Sequence, residues 1–127
     1  MIVIDTSALV AVVLREGRAA ACIKALESET QVLVSAGTMT EALIVAARRL
    51  VVVEMAGLID GLDVHVVTVT SASSKRVTHA YQQWGKGFHR AALNFGDCFA
   101  YALAKEHSCQ LLFVGSDFSK TDMESAL

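Results

Sequence analysis

MIVIDTSALVAVVL, residues 1–14, decides how the rest of the chain is read. The apolar run 1–4 has the length and composition of a buried strand. Asp5-Thr6-Ser7 ends it with side-chain oxygens suited to capping a helix, and an apolar stretch then runs to Leu14 before Arg15-Glu16-Gly17 breaks it. Strand, acid, helix is the opening of an α/β unit, and the rhythm continues. Residues 18–29 read as helix, QVLVS at 31–35 as a second strand, 37–50 as helix and 51–61 as a further apolar helix ending at Gly61. VHVVTV at 64–69, rich in Val and Thr, reads as a third strand. Residues 71–84 are amphipathic, 85–96 read as a loop, 97–107 as a helix and 111–114 as the last strand, with a turn or short capped helix in GSDFSKTD. Strands separated by helices require crossover connections. The expected fold is therefore α/β, a three-layer α/β/α arrangement with a mostly parallel sheet, in a single domain over 1–127.

Hydrophobic residues make up 54% of the chain and its mean hydropathy is +0.47. A small domain cannot hide that much apolar surface alone, so an interface is expected. The formal net charge of −2 excludes a basic nucleic-acid coat, but not an enzyme that grips phosphate through a metal and a few local cations. Cys22, Cys98 and Cys109 have neither paired spacing nor an even count and read as small buried hydrophobes in a reducing compartment. The start of the chain lacks the cationic flank and cleavage site of a secretory signal, and its apolar runs are too short to span a bilayer. The expectation is a cytoplasmic protein with no membrane attachment.

Four acids have ordinary explanations when taken singly. Asp5 can cap the helix after it, and Glu41 stands three residues after Thr38, a capping-box spacing. Asp97 follows Gly96 at a helix start as an N-cap candidate, and Asp117 lies in a turn. Their joint placement is more telling. Asp5 and Asp117 each follow a strand closely, Glu41 lies about one turn past another, and Asp97 begins the helix before the last strand. In a parallel sheet all four gather at the edge where open α/β sheets bind ligands. Anions packed together need protons or a divalent cation, and hard oxygen ligands select Mg²⁺ or Mn²⁺. Such an ion polarises a phosphoryl group and lowers the pKa of an attacking water.

At these residues the chain resembles PIN-domain ribonucleases, in particular the VapC-type toxins of bacterial and archaeal toxin–antitoxin pairs. The resemblance runs through IDTSALVAVVL, SAGTMTEA around Glu41, GKGFHRAALNFGDCFAYALAKE at 85–106 and LLFVGSDFSKTD after it. It implies a PIN-like fold and a metal site on Asp5, Asp97 and Asp117, with Glu41 completing the shell or orienting the water. Thr6 and Ser116 would support these groups through their hydroxyls. It also implies an RNA substrate, an antitoxin protein as inhibitor and a homodimer as the working form. The chain departs from the family pattern at Val114, where Lys is frequent, and at Ser116, where Asp or Asn is frequent. Arg90 stands in place of a common proline, and Met123 where Ile is usual. Asp122 reads as a turn residue rather than a fifth acid.

Arg48, Arg49, Lys75, Arg76, Lys86 and Arg90 are candidate phosphate contacts, with Lys86 and Arg90 foremost because they precede Asp97 in a glycine-containing loop. His65, His79 and His107 read as structural, and His89 as a secondary RNA candidate. Trp84 and Phe88 are the aromatics placed to meet RNA, whereas Phe99 and Tyr101 have the helical spacing of core or interface. A phospho-receiver domain would need an acceptor Asp after its central strand, where this chain has Thr70 and Ser71. A haloacid-dehalogenase-type phosphatase would need a second Asp where Ser7 stands. The alternative that survives is a catalytically idle PIN-fold binding module keeping only the antitoxin interface; retention of all four acids argues against it.

Overall fold

In the computed structural model, which describes residues 1–127, four strands build one sheet: β1 (Ile2–Ile4), β2 (Val32–Ser35), β3 (His65–Val67) and β4 (Gln110–Leu112). They lie in the order β3-β2-β1-β4 and every pairing is parallel, so the expected mostly parallel sheet is wholly so. Helices α1 (Thr6–Val13) and α2 (Ala19–Glu27) connect β1 to β2, and α3 (Ala36–Arg48) and α4 (Val52–Gly61) connect β2 to β3. Helices α5 (Ser71–Trp84) and α6 (Phe95–Glu106) then carry the chain past β2 and β1 to β4.

Strand side chains alternate between faces, and the core divides accordingly. Ile2, Ile4, Val32, Val34 and Leu112 pack with buried residues of α1 to α4, such as Leu9, Leu26, Ala42 and Met55. Val3, Leu33 and Leu111 face the other way, against α5 and α6 through Ala80, Ala100 and Leu103. The result is a three-layer α/β/α fold. Short strands suffice because β1 and β2 are buried on both faces. At the β4 edge the C-terminal tail closes the ladder, with Leu111 N–H donating to Glu124 O at 3.0 Å and Ala126 N–H to Leu111 O at 3.0 Å. The opposite edge, β3, stays largely exposed, which is why its strand is shorter than the apolar run 64–69 suggests.

From β1 the chain steps one way to β2 and finally returns on the other side as β4. The connection reverses between β1 and β4, and a crevice opens beyond their carboxyl ends. Gly115, at φ 98°, supplies the left-handed turn between β4 and the short 3₁₀ helix Asp117–Lys120. No helix is long and apolar enough to cross a membrane.

Candidate active site

Asp5 leaves β1 at this crevice. Its N–H donates to Leu112 O of β4 at 2.9 Å, so the two strands remain tied at the point of exit. Asp5 is also the N-cap of α1: its Oδ2 accepts from Ser7 N–H at 2.9 Å and from the Ser7 hydroxyl at 2.6 Å. Ser7 Oγ in turn accepts Val114 N–H at 3.0 Å, joining the exit of β4 to the same carboxylate. Asp5 is only 3% exposed, and its second oxygen, Oδ1, is buried with no hydrogen-bond partner.

Asp97 sits on the first turn of α6, with a correction to its expected role. The helix starts at Phe95, two residues earlier than the sequence suggests, and Asn94 is its N-cap. Asn94 Oδ1 accepts Asp97 N–H at 2.8 Å and Asp97 Oδ2 accepts Asn94 N–H at 2.9 Å, a reciprocal capping box that fixes the buried carboxylate. Glu41 is likewise not part of a capping box with Thr38. Helix α3 begins at Ala36 with Ser35 as N-cap, and Thr38 is buried inside the helix. The partner of Glu41 is Thr6, whose hydroxyl donates to Oε1 at 2.5 Å. Gly96 makes room for the other oxygen: a Cβ there would lie 1.8 Å from Glu41 Oε2. Asp117 is exposed at the start of the 3₁₀ helix.

These placements bring charges together. Burial pushes the Asp97 carboxyl up to about 7; the Asn94 amide opposes the shift, while Asp5, Asp117 and Glu41 add repulsion. Burial also raises Asp5, against the pull of its Ser7 hydrogen bonds, and Glu41 adds to the rise. Nowhere do three or more acidic, His or Cys side chains stand together as a formed cation cage. One oxygen each of Asp5, Asp97 and Glu41 is held by a neighbouring N–H or hydroxyl, and mutual repulsion opposes closer approach. An unpartnered buried oxygen on Asp5 and a carboxyl driven toward its neutral form on Asp97 are both features that a hard divalent cation would relieve.

Other candidates fall outside this cluster. Asp122 accepts from Tyr101 OH at 2.7 Å and Lys105 Nζ at 2.9 Å. Despite some burial these partners hold its carboxyl below the usual range, and its charge is engaged by Lys105. Ser116 contributes its carbonyl, not its hydroxyl, to local bonds. Trp84 donates to Tyr101 OH at 2.8 Å and packs edge-on against His89 at 4.7 Å, so both rings serve the scaffold. Phe88 remains 63% exposed, and Phe95, an aromatic ranked below Trp84 and Phe88 on sequence, is 75% exposed beside Glu41. Burial pushes the Cys98 thiol up to about 12, with Asp97 adding to it, as suits a small core side chain. Ser7 and Asn94 were missed as supports of the carboxylates. The signals were present in the Asp-Thr-Ser run and in the Asn-x-x-Asp spacing of a capping box.

An open parallel sheet with acids converging on its switch point is the build of a PIN domain. A family model described as PIN domain matches residues 2–124, and the chain belongs to that family. Within it the likeness is to VapC ribonucleases. Ribonuclease VapC30 of Mycobacterium tuberculosis is 41% identical over 127 residues, covering 95% of each chain. Ribonuclease VapC36 of the same organism is 40% identical, covering 96% of this chain and 91% of its own. Among solved structures, the M. tuberculosis VapC20 toxin superposes with a TM-score of 0.79 at 19% identity, covering 97% of this chain and 96% of that one, a likeness of fold. A toxin–antitoxin complex from Klebsiella pneumoniae gives 0.69 at 17% identity, covering 96% and 93%.

Two predictions follow from the geometry. Because the folded protein holds Asp97 at about 7, its neutral form is favoured on folding; that contribution is full below the unfolded value of about 3.9 and is lost as pH rises through about 7. Without divalent ions, Asp97→Asn should therefore melt a few degrees above wild type at pH 8, with the difference vanishing near pH 4; equal melting curves at pH 8 would contradict the burial argument. Gly96→Ala displaces Glu41 from Thr6 and should destabilise by about 1 kcal/mol. In a Glu41→Ala background the same change should become neutral or stabilise by a few tenths of a kcal/mol, and an identical cost in both backgrounds, measured by urea unfolding, would rule the contact out.

Proposed function

We propose that this chain is a metal-dependent endoribonuclease toxin, hydrolysing RNA phosphodiester bonds with Mg²⁺ or Mn²⁺ and neutralised by a cognate antitoxin protein. The observation that carries this reading is the buried pair Asp5 and Asp97 at the switch point, one with an unpartnered oxygen and the other pushed toward neutrality. In this reading Asp5, Asp97 and Asp117 hold the ion, with Glu41 completing the shell or orienting the water. When bound, such an ion supplies charge neutralisation and Lewis acidity toward a phosphodiester. The protein's own contribution is position. Ser7 fixes one oxygen of Asp5 and leaves the other, Oδ1, without a partner. Thr6 holds one oxygen of Glu41, and Gly96 leaves the second free to accept a proton from water. The N-terminus of α6, whose first turn carries Asp97, adds partial positive charge for a phosphate.

The names of the relatives support the chemistry, since VapC30 and VapC36 are called ribonucleases and VapC20 a sarcin–ricin loop cleaving toxin. The Klebsiella neighbour, a toxin–antitoxin complex, supports an inhibitory protein partner. A cytoplasmic setting agrees with three free cysteines, two of them buried. A homodimer is supported by a groove of about 530 Å³ beside Glu41, where Ile44 (53% exposed) and Phe95 (75% exposed) lie near Val69 and Phe99. Apolar surface of this kind is what the hydrophobic composition leads one to expect.

Purified protein should cut total RNA at discrete sites with millimolar Mg²⁺ and stop on chelation. Asp97→Asn should abolish cleavage without unfolding, and Ser7→Ala should lower it by about 10- to 100-fold. Cleavage that persists in Asp97→Asn would assign the chemistry elsewhere. Ile44→Glu with Phe95→Glu should shift the protein from dimer to monomer by light scattering; a dimer that survives both changes does not use this face.

A further inference from the structure

All thirteen acids of the chain lie outside residues 64–96, a stretch that nevertheless holds Lys75, Arg76, Lys86 and Arg90. This is a marked division of charge for a protein of net charge −2. The stretch includes all of α5 and the loop after it, closed by a parallel bridge between Gly85 and Leu93. Between α5 and α6 runs a groove of about 470 Å³ whose walls include Lys75, Arg76, His79, Gln83 and Lys105, with Glu106 as its sole acid.

We propose that this groove and the loop beyond it form a track for the backbone of single-stranded RNA, leading to the carboxylates at the crevice. The proposal rests on the ribonuclease reading and adds a binding surface to it. Direction comes from packing. Arg76 pairs with Glu106 near the end of α6, while Trp84 bonds Tyr101, one turn beyond Asp97. The two helices are therefore antiparallel, and the track rises along α5 toward Lys86, Arg90 and the Asp97 end of α6. Lys75, His79 and Gln83 repeat every fourth residue on one face, about 6 Å apart along the axis, a step comparable to that between phosphates of an extended strand.

The existing ion pairs do not close the groove. Arg76–Glu106 has side-chain exposures of 44% and 37%, and Lys105–Asp122 of 48% and 50%. Exposed pairs of this kind contribute about 0–1 kcal/mol and can exchange for phosphate. Lysine and arginine offer donors only, which suits a backbone of acceptors; a peptide strand would leave its own N–H groups without partners along most of this wall. The acids elsewhere on the surface repel a polyanion and leave it this approach.

The test uses Asp97→Asn protein and labelled oligouridylates of about 12 and about 3 nucleotides, within and below the usual range for single-strand sites. The longer oligomer should bind more tightly, with affinity falling steeply as salt rises. Adding Lys75→Glu and Lys86→Glu should weaken its binding at least tenfold, reduce the salt slope by about 0.7 per lost phosphate contact and erase the preference for length. Lys75→Arg with Lys86→Arg should restore all three. Arg15→Glu with Lys24→Glu, the same charge change on α2 and the turn before it, should stay within about twofold of the parent. Equal weakening by both glutamate pairs would reduce the effect to net charge and overturn the track. So would unchanged RNA binding accompanied by loss of an oligoglutamate peptide, which would make the groove a protein site. Wild-type cleavage with Mg²⁺ separates the two ideas: cleavage without groove-dependent binding removes the track alone, and groove-dependent binding without cleavage removes the nuclease reading alone.

Discussion

Parallel pairing of β1 with β4 is the constraint from which the site follows. It sets the ends of the first and last strands side by side although the whole chain separates them, and the Asp5 N–H to Leu112 bond fixes the junction. The hydroxyl of Ser7 extends the same tie to Val114. Had the final connection returned to the β3 edge instead, Asp117 would emerge with two strands between it and Asp5, and α6 would not cross behind β1. The order β3-β2-β1-β4 thus brings acids from distant segments toward one crevice without a shared local motif.

Gathering these acids runs against stability. Asp5 and Asp97 are among the few buried polar residues of the chain, and burial disfavours the charge of each. The surrounding hydrogen bonds oppose that penalty only in part, since each holds one carboxylate oxygen and Asp5 Oδ1 has none. A core optimised only for folding would place apolar side chains here, as it does one residue earlier at Ile4. Capping offsets part of that cost, with Asp5 at the start of α1 and Asp97 in the box with Asn94. The remainder is what the proposed ion site would account for, with the Thr6 hydroxyl and the space above Gly96 holding Glu41 in position.

The fold was legible because buried strands announce themselves. Residues 1–4 and 32–34 are apolar and stop at the capping residues Asp5 and Ser35, so the expected strand edges fall within a residue of the observed ones. The edge strand at 65–67 was overread because its Val-rich flanks look alike whether or not a neighbour is there to pair with them. The four acids could be nominated since topology alone sends them to one edge. Their supports could not be ranked the same way. Asn94 and Thr38 both offer capping-box spacings, and only where each helix starts, α6 at Phe95 and α3 at Ala36, decides which is real. The Thr6 to Glu41 bond joins residues 35 apart and has no local signature. Phe95 was set aside for a related reason: read as the end of the loop 85–96, it gives no sign that it opens α6 with its ring exposed.

Apolar surface and acidic site are also linked through shared helices. Glu41 and Ile44 lie on adjacent turns of α3, and Phe95 and Asp97 share the first turn of α6. Gly37 lies so close to Phe99 that a Cβ would meet its ring at 2.5 Å, so α3 and α6 are locked together where both surfaces begin. Covering Ile44 and Phe95 would remove water from one side of Glu41 and lower the local dielectric. Repulsion among the acids would then rise, and with it the demand for a cation, because Coulomb interactions strengthen as solvent leaves. On the proposed reading, assembly on that face and ion binding at the crevice would be coupled through the two helices that frame Glu41.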